Sequence, residues 1–219
     1  MTEFQRARSA SAKQQREADI LTAAASLGTS RGIRSVTLTD IASAVGMHKS
    51  AMLRYFETRE QIFLRLTADG WQEWSADLRS RLAAIPTHGA ALGAVASAFA
   101  DSLVARPMFC DLLAQAPLNL ERNVSLESVF AFKLATLMEV QAISSDLERL
   151  LGLTAEQSVD VIATATSLAG AMWQMATPAP EVQELYRSDP RLAHAVVEVG
   201  PRLTRVLAAL LAGLPATGA

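Results

Sequence analysis

Residues 37–56, TLTDIASAVGMHKSAMLRYF, decide the fold of this chain. Thr37 and Asp40 have the spacing of a capping box, which predicts the start of a short helix. Gly46 is suited to the left-handed position that ends a helix and reverses the chain. The segment from Lys49 to Phe56 is too short to be a stable helix alone, so packing must hold it. The residues expected to pack are Ile41, Ala42, Val45, Met52, Leu53 and Phe56.

The flanks of this stretch predict two longer helices. Residues 1–12, with Arg6 and Arg8, lack apolar periodicity and are interpreted as a flexible basic arm. A first helix is expected from Ser11 to about Arg31. A second capping box, Thr58 with Gln61, is expected to start a long helix that reaches about Leu82. Residues 13–66 are therefore predicted to form a small three-helix unit, called the head below.

The rest of the chain, residues 67–219, is predicted to be a second helical domain, called the body. Proline and glycine positions divide it into helices at about 88–105, 107–115, 125–151, 155–176 and 190–212, with a short helical turn near 181–187. Pro201, preceded by Gly200, is expected to kink the last helix. No strand pattern competes, and aromatic residues make up only 5% of the chain. The predicted fold is all-α.

The charge is unevenly distributed along the chain. Residues 1–65 hold ten Lys and Arg against six Asp and Glu, a net charge of +4, whereas residues 66–219 have a net charge of −6. A basic head indicates that its partner is a polyanion. No run of about 18 apolar residues and no signal peptide is evident, so a soluble, cytoplasmic protein without membrane association is expected.

The head has the geometry of a helix-turn-helix, in which the second helix enters the major groove of DNA. Lys49, Ser50 and Arg54 lie on the outer face of that second helix. Lys and Arg side chains can bind guanine O6 and N7, which makes these residues candidates for reading base edges. The pattern favours double-stranded DNA as the partner.

This stretch closely resembles the helix-turn-helix of the tetracycline-repressor (TetR) family over about residues 13–66. The residues that carry the resemblance are Thr37, Ile41, Ala42, Gly46, Lys49, Arg54, Tyr55, Phe56 and Arg59. The chain departs from the family pattern at Ala51 and Leu53, where the family usually has Thr and Tyr. The resemblance implies phosphate contacts, which fix the register on DNA, for Thr37, Thr39, His48, Tyr55 and Arg59.

The resemblance also implies a homodimer bound to a palindromic operator, because one small head needs a second half-site for specific binding. The last two long helices, 155–176 and 190–212, are the expected interface. Its candidate residues are Val159, Ile162, Ala163, Ala169, Gly170, Trp173, Val196, Val199, Leu203, Val206 and Leu210. For any one of them, a place in the core of a single subunit is equally consistent with the pattern.

Residues 108–133 resemble the C-terminal domain of a subset of TetR regulators, which implies a ligand-response role and places the helix at 107–115 against the head. An unidentified small apolar effector is expected to release the DNA. The candidate pocket residues are Phe99, Leu103, Met108, Phe109, Leu112, Phe130, Leu134, Met138, Met172 and Trp173. The alternative for each is an ordinary core position.

Other chemistry has little support in the sequence. The chain has no GxSxG, HExxH, Walker or GxGxxG pattern, so a helical enzyme is the weaker hypothesis, and no catalytic residue, metal or cofactor is predicted. His88 and His194 stand alone, and Cys110 is interpreted as a small buried residue, with a redox trigger as the alternative. A ligand-responsive activator with the same head remains open beside the repressor.

Overall fold

The computed structural model describes residues 3–86 and 91–214, with side chains from residue 11 onward. Within these residues the regular structure is helical, and no strand occurs. The helices are α1 (Glu3–Arg31), α2 (Leu38–Ala44), α3 (Lys49–Met52), α4 (Arg59–Ala83), α5 (Ala91–Val104), α6 (Pro107–Gln115), α7 (Leu126–Leu151), α8 (Ala155–Ala176), α9 (Pro180–Ser188) and α10 (Val199–Gly213). The all-α prediction is confirmed.

The head forms around a small apolar core. The Thr37 side chain accepts a hydrogen bond from the Asp40 amide at 3.1 Å, and the Asp40 carboxylate accepts one from the Thr37 amide at 2.8 Å, which confirms the capping box. Gly46 has a φ of +64°, so glycine there avoids the strain that a side chain would meet in the turn. The buried hydrophobic residues of the head are Ile20, Ala24, Ile33, Val36, Ile41, Ala42, Met52, Phe56, Ile62, Phe63 and Leu64.

Two helix boundaries in the head differ from the predictions. α1 begins at Glu3 rather than near Ser11, because no Gly or Pro interrupts residues 3–12 and helix-forming residues extend a helix that is anchored further along. α3 ends at Met52, and the chain continues to Phe56 in turns. Leu53, predicted to pack inside, is 53% exposed.

The body wraps around the far end of α4, which spans about 37 Å at 1.5 Å per residue. α7 packs along α4, α6 packs on α8, and α10 packs on α5 and α8. α6 also contacts α1 and α4, so this short helix lies between the head and the body, as the family resemblance implied. A movement of α6 relative to α4 would therefore reach the head directly.

The predicted helix at 190–212 is wrong in its first half. Pro190–Ala195 forms a 3₁₀ helix, and α10 begins at Val199. Pro201 thus lies in the first turn of α10, where a backbone N–H has no helical partner to lose, so no kink is required.

No helix in the described ranges is long and apolar enough to cross a membrane. Nor do the described side chains include a group of three or more His, Cys, Asp or Glu that could hold a metal ion. His88 and the predicted start of the helix at 88–105 lie outside the described residues.

Candidate nucleic-acid interface and ligand sites

The outer face of the helix-turn-helix carries two cations. Lys49, in the first turn of α3, and Arg54, in the turn that follows it, are exposed. Neither side chain has a hydrogen bond or ion pair with another residue in the described part of the chain. Thr39 is also exposed on α2, whereas Tyr55 is half-buried and packs against the core of the head. Lys49 and Arg54 are thus available to an external partner.

His48 is the N-cap of α3. Its Nδ1 atom lies 3.4 Å from the Ser50 amide and 2.9 Å from the Ser50 hydroxyl. Because the amide can only donate, Nδ1 is the acceptor, and the neutral ring then has its proton on Nε2. The Ser50 hydroxyl is thus hydrogen-bonded to His48. The Nε2–H of the His48 ring has no partner in the described part of the chain.

The Thr37 hydroxyl is also hydrogen-bonded within the head. The hydroxyl donates to the Asp40 carboxylate at 2.6 Å. This bond lowers the pKa of Asp40, with further contributions from the Thr37 amide and Arg31. Asp40 is therefore a carboxylate that fixes the start of α2, and Thr37 has only a remaining oxygen lone pair to offer outside.

Arg59 is placed differently from the phosphate-binding role that the resemblance implied. Its guanidinium donates to the backbone carbonyls of Val36 and Ile33, and to Glu60 at 2.8 Å. It also stacks 4.9 Å above the Phe63 ring, and its side chain is only 18% exposed. Every guanidinium nitrogen already has a protein acceptor. The start of α4 projects Arg59 back across the head, so it fastens α4 to the segment before α2.

The ten predicted ligand residues lie in three different places in the described part of the chain. Five of them are buried in the body core: Phe99, Leu103, Phe109, Leu112 and Met172. Phe109 packs edge-on against Trp71 with ring centroids 5.9 Å apart, and Trp74 fills the space beside it. These rings therefore form part of a packed aromatic cluster in the body core.

Three more of the ten lie on the outer face of α7. Phe130 is 64% exposed and Met138 69% exposed, with Leu134 between them. The faces of α7 that pack on α4 and α8 carry other residues, such as Phe132 and Ile143. Sequence periodicity identified α7 as apolar but did not reveal which of its apolar positions faced inward.

The last two, Met108 and Trp173, line a cleft of about 690 Å³ between the head and the body. The head side is formed by the end of α1 and the 3₁₀ turn Ile33–Ser35, and the body side by α6 and the end of α8. The residues lining it are Gly28, Thr29, Arg31, Gly32, Ile33, Arg34, Ser35, Pro107, Met108, Asp111, Trp173, Gln174 and Thr177. Apart from Met108 and Trp173, no residue of this cleft was predicted as a ligand contact.

Asp111 joins the two sides of this cleft. One carboxylate oxygen accepts a hydrogen bond from the Ile33 amide at 3.1 Å, and the other accepts one from the Gln174 amide group at 2.8 Å. No sequence pattern indicates this role, because the partners are 78 and 63 residues away along the chain. A single side chain on α6 thus connects the head to α8.

A second polar link lies at the start of α7. Glu57 accepts hydrogen bonds from the Ser125 amide at 2.8 Å and from the Ser128 hydroxyl at 3.0 Å, and Gln61 donates to Ser128. The bond from the Ser125 amide is the main cause that lowers the pKa of Glu57. These bonds form a second polar link between the head and the body.

The predicted dimer residues divide between the subunit core and the surface. Ile162, Ala169, Gly170 and Leu203 are buried within the subunit. A Cβ at Gly170 would lie 2.9 Å from the backbone nitrogen of Ala114, so glycine there permits close packing of α6 on α8. In contrast, an exposed stripe with four-residue spacing runs along α8: Val159, Ala163, Ser167, Ala171 and Met175.

Cys110 is fully buried, and its thiol donates to the Leu103 carbonyl at 3.3 Å. Burial raises the pKa of this thiol to about 12, with a smaller contribution from Asp111. A thiol in this state is a weak nucleophile. The interpretation of Cys110 as a small buried residue agrees with this placement.

Comparisons with known proteins agree with these two units. The family model described as bacterial regulatory proteins, tetR family, matches residues 20–66. A second, described as tetracyclin repressor-like, C-terminal domain, matches residues 68–218. No curated protein matches the sequence significantly.

Solved structures resemble the whole chain at low sequence identity. FadR from Thermus thermophilus, described as a TetR family transcriptional repressor in complex with lauroyl-CoA, has a TM-score of 0.57 at 18% identity, with 93% of this chain and 97% of that chain covered. FadR from Bacillus halodurans, described as a fatty acid degradation regulator, gives 0.57 at 13%, covering 90% and 98%. MbdR from Azoarcus sp. CIB gives 0.53 at 21%, covering 90% and 97%. The family models together span nearly the full length, and this chain belongs to the TetR family of bacterial transcriptional regulators.

Proposed function

We propose that this TetR-family regulator is a homodimeric repressor that binds a palindromic operator through α3 and leaves it when a small effector binds. The observation that carries the proposal is the exposed surface formed by α3 and the turn after it, where the side chains of Lys49 and Arg54 have no partner in the described part of the chain. The His48 ring edge, Thr39 and Tyr55 flank them and are the proposed phosphate contacts. Lys49 and Arg54 are the proposed readers of base edges, with Ser50 reduced to a capping role.

Binding of the second operator half-site requires a second head, which dimerisation through the exposed stripe of α8 would supply. Its central members are Ala163, Ser167 and Ala171, and such small side chains let two helices approach closely. α10 packs beside α8 and adds the exposed residues Val206 and Ala209. A second copy can pack its own α8 and α10 against these exposed residues.

Effector control is supported by the two polar links between head and body. An effector can release DNA only if it binds more tightly to the state whose heads no longer fit the operator. α6, held to the head by Asp111 and to α8 by Gln174, is the element through which such a preference would reach α3. Thermus thermophilus FadR shows that this fold occurs in a repressor described with a bound acyl-CoA.

The test of DNA binding begins with an operator selected from random duplex DNA by the wild-type protein. The double variant Lys49→Ala, Arg54→Ala should lose about 2–6 kcal/mol of operator affinity, measured by fluorescence anisotropy, because each of the two side chains contributes about 1–3 kcal/mol. Arg122→Ala, an exposed arginine in the body, is the matched control and should bind normally. Full operator affinity in the double variant would contradict the assignment of α3 as the recognition helix.

The test of repression is the change in transcripts when the gene is deleted. If the protein is a repressor, deletion should raise the transcript levels of genes next to the selected operator. A fall in those transcripts would identify an activator instead.

A further inference from the structure

We propose that the cleft between head and body, of about 690 Å³, is the effector site, and that it binds a small organic anion with a flat apolar part. This inference rests on the proposed function for its regulatory meaning, but the site itself is argued from the cleft alone. The volume is within the range of about 300–1,000 Å³ found for small-molecule sites. The sequence predicts a small apolar effector bound among body residues. The proposed effector has an apolar part but also carries a negative charge, and its site lies outside the body core.

The apolar wall of the cleft is supplied by the body. Trp173, near the end of α8, and Met108, in the first turn of α6, are both partly buried and line the cleft together. The indole N–H of Trp173 has no hydrogen-bond partner in the described part of the chain. A flat ring can stack on the indole while the adaptable Met108 side chain closes over it.

The charge of the cleft is supplied by the head. Arg34, in the 3₁₀ turn, is exposed on the cleft and has no ion pair among the described side chains. Arg31 has a weak pair with Asp40 at 3.5 Å and remains 54% exposed. The one carboxylate that lines the cleft, Asp111, already accepts a hydrogen bond on each oxygen. Two arginines facing one satisfied carboxylate favour an anion over a cation or a neutral molecule.

The position of the cleft connects binding to the orientation of the head. The contacts that cross it include the Ile33 amide with Asp111 at 3.1 Å and the Thr29 hydroxyl with the Met108 sulfur at 3.5 Å. A ligand that stacks on Trp173 and pairs with Arg34 spans the same gap and replaces or stretches these contacts. The bound ligand therefore favours one orientation of the head over another. This preference is the difference in affinity between two states that effector control needs.

The experiment uses two fluorescent probes on the full-length protein: 8-anilinonaphthalene-1-sulfonate, which is a flat anion, and N-phenyl-1-naphthylamine, which has the same rings without the sulfonate. Arg34→Gln should raise the Kd of the anionic probe about tenfold and leave that of the neutral probe unchanged, because one charge-assisted hydrogen bond is lost. Trp173→Ala should weaken both probes. Arg122→Gln, an exposed arginine elsewhere, should change neither.

A second arm separates the cleft from the exposed apolar face of α7. Phe130→Gln removes an aromatic ring that is 64% exposed there and should leave both Kd values unchanged. The proposal is overturned if the anionic probe binds equally to wild type, Arg34→Gln and Trp173→Ala, or if its binding is lost in Phe130→Gln. Arg34 is at the surface, so its variant keeps the fold even if Trp173→Ala does not, and thermal melting of both checks this.

Operator release is measured in the same samples. If the anionic probe binds through Arg34 and Trp173 but the protein stays on its operator, the cleft is confirmed as a binding site and the effector-release part of the proposed function fails. If operator binding itself is absent in the wild type, the repressor proposal fails while the probe titrations still decide the site.

Discussion

At the scale of single residues, Arg54 and Arg59 have different surroundings although they are only five positions apart. Arg54 lies in the turn after α3 and is exposed. Arg59 is in the first turn of α4 and points back to the Ile33 and Val36 carbonyls. Both arginines belong to the stretch that resembles the family pattern, but only the tertiary structure shows that the Arg54 side chain is exposed while the Arg59 side chain is bonded within the head.

Arg59→Ala is predicted to destabilise the head by about 2–3 kcal/mol, because the Val36 and Ile33 carbonyls each lose a charge-assisted hydrogen bond from the guanidinium. Chemical unfolding should report this loss, and operator affinity should fall for all sequences alike. Arg59→Lys keeps the charge without the planar geometry and should recover only part of the stability. A phosphate contact would instead leave the stability of Arg59→Ala unchanged and reduce the salt dependence of DNA binding.

At the scale of helices, α4 is joined to the α5–α6 junction by a carboxylate. Asp77 accepts hydrogen bonds from Arg81 at 3.1 Å and from Arg106 at 2.7 Å, and Arg106 also donates to the Ser102 carbonyl. Partial burial raises the pKa of Asp77, but the bonds from Arg81 and Arg106 outweigh it and the net effect lowers that pKa below 3.8. This link fixes the position from which α6 starts.

Asp77→Asn is predicted to cost about 1 kcal/mol near neutral pH, a value reduced for the partial exposure of the pair. Because the pKa of Asp77 is lowered by folding, its contribution is present above about pH 3.8 and is lost as the pH falls through the lower folded value. The stability difference between the two proteins, from urea unfolding at several pH values, should therefore shrink in acid. Asp101→Asn, an exposed carboxylate on α5, is the control and should show little difference at any pH. A constant difference for Asp77→Asn would contradict the ionic origin.

At the scale of the whole molecule, small residues on α8 fall into two groups with opposite surroundings. Ala169 and Gly170 are buried inside the subunit, and the Gly170 position meets the Ala114 backbone. Ala163 and Ala171 are exposed on the opposite face. A charge at Gly170, which the sequence pattern marked as an interface residue, would therefore damage the packing of α6 on α8 and would not report on dimerisation.

Ala163→Glu is predicted to separate the subunits, because two copies would bury like charges where their α8 helices meet. Sedimentation equilibrium at micromolar concentration should show a dimer for wild type and a monomer for this variant, with loss of palindromic operator binding. Ala131→Glu, at an exposed alanine on α7, is the matched control and should remain dimeric. A monomeric wild type, or dissociation by Ala131→Glu alone, would contradict the α8 interface.

The sequence by itself determined the local structure of the head and the family. Caps and turns depend on residues within four positions of each other, so Thr37, Asp40 and Gly46 were sufficient to place α2 and its turn. Most helix boundaries in the body followed from proline and glycine for the same reason. The exception was Pro201, since a proline that starts a helix and one that kinks it leave similar local patterns.

Only the tertiary structure decided which face of each body helix points inward. α7 and α8 carry apolar residues on more than one face, so periodicity could not separate the buried Phe132 from the exposed Phe130. The cleft between head and body was equally inaccessible to sequence, because Arg34, Asp111 and Trp173 come from distant segments that only the packing of α6 brings together. Interactions between residues far apart along the chain depend on how whole helices pack, and a local pattern does not contain that information.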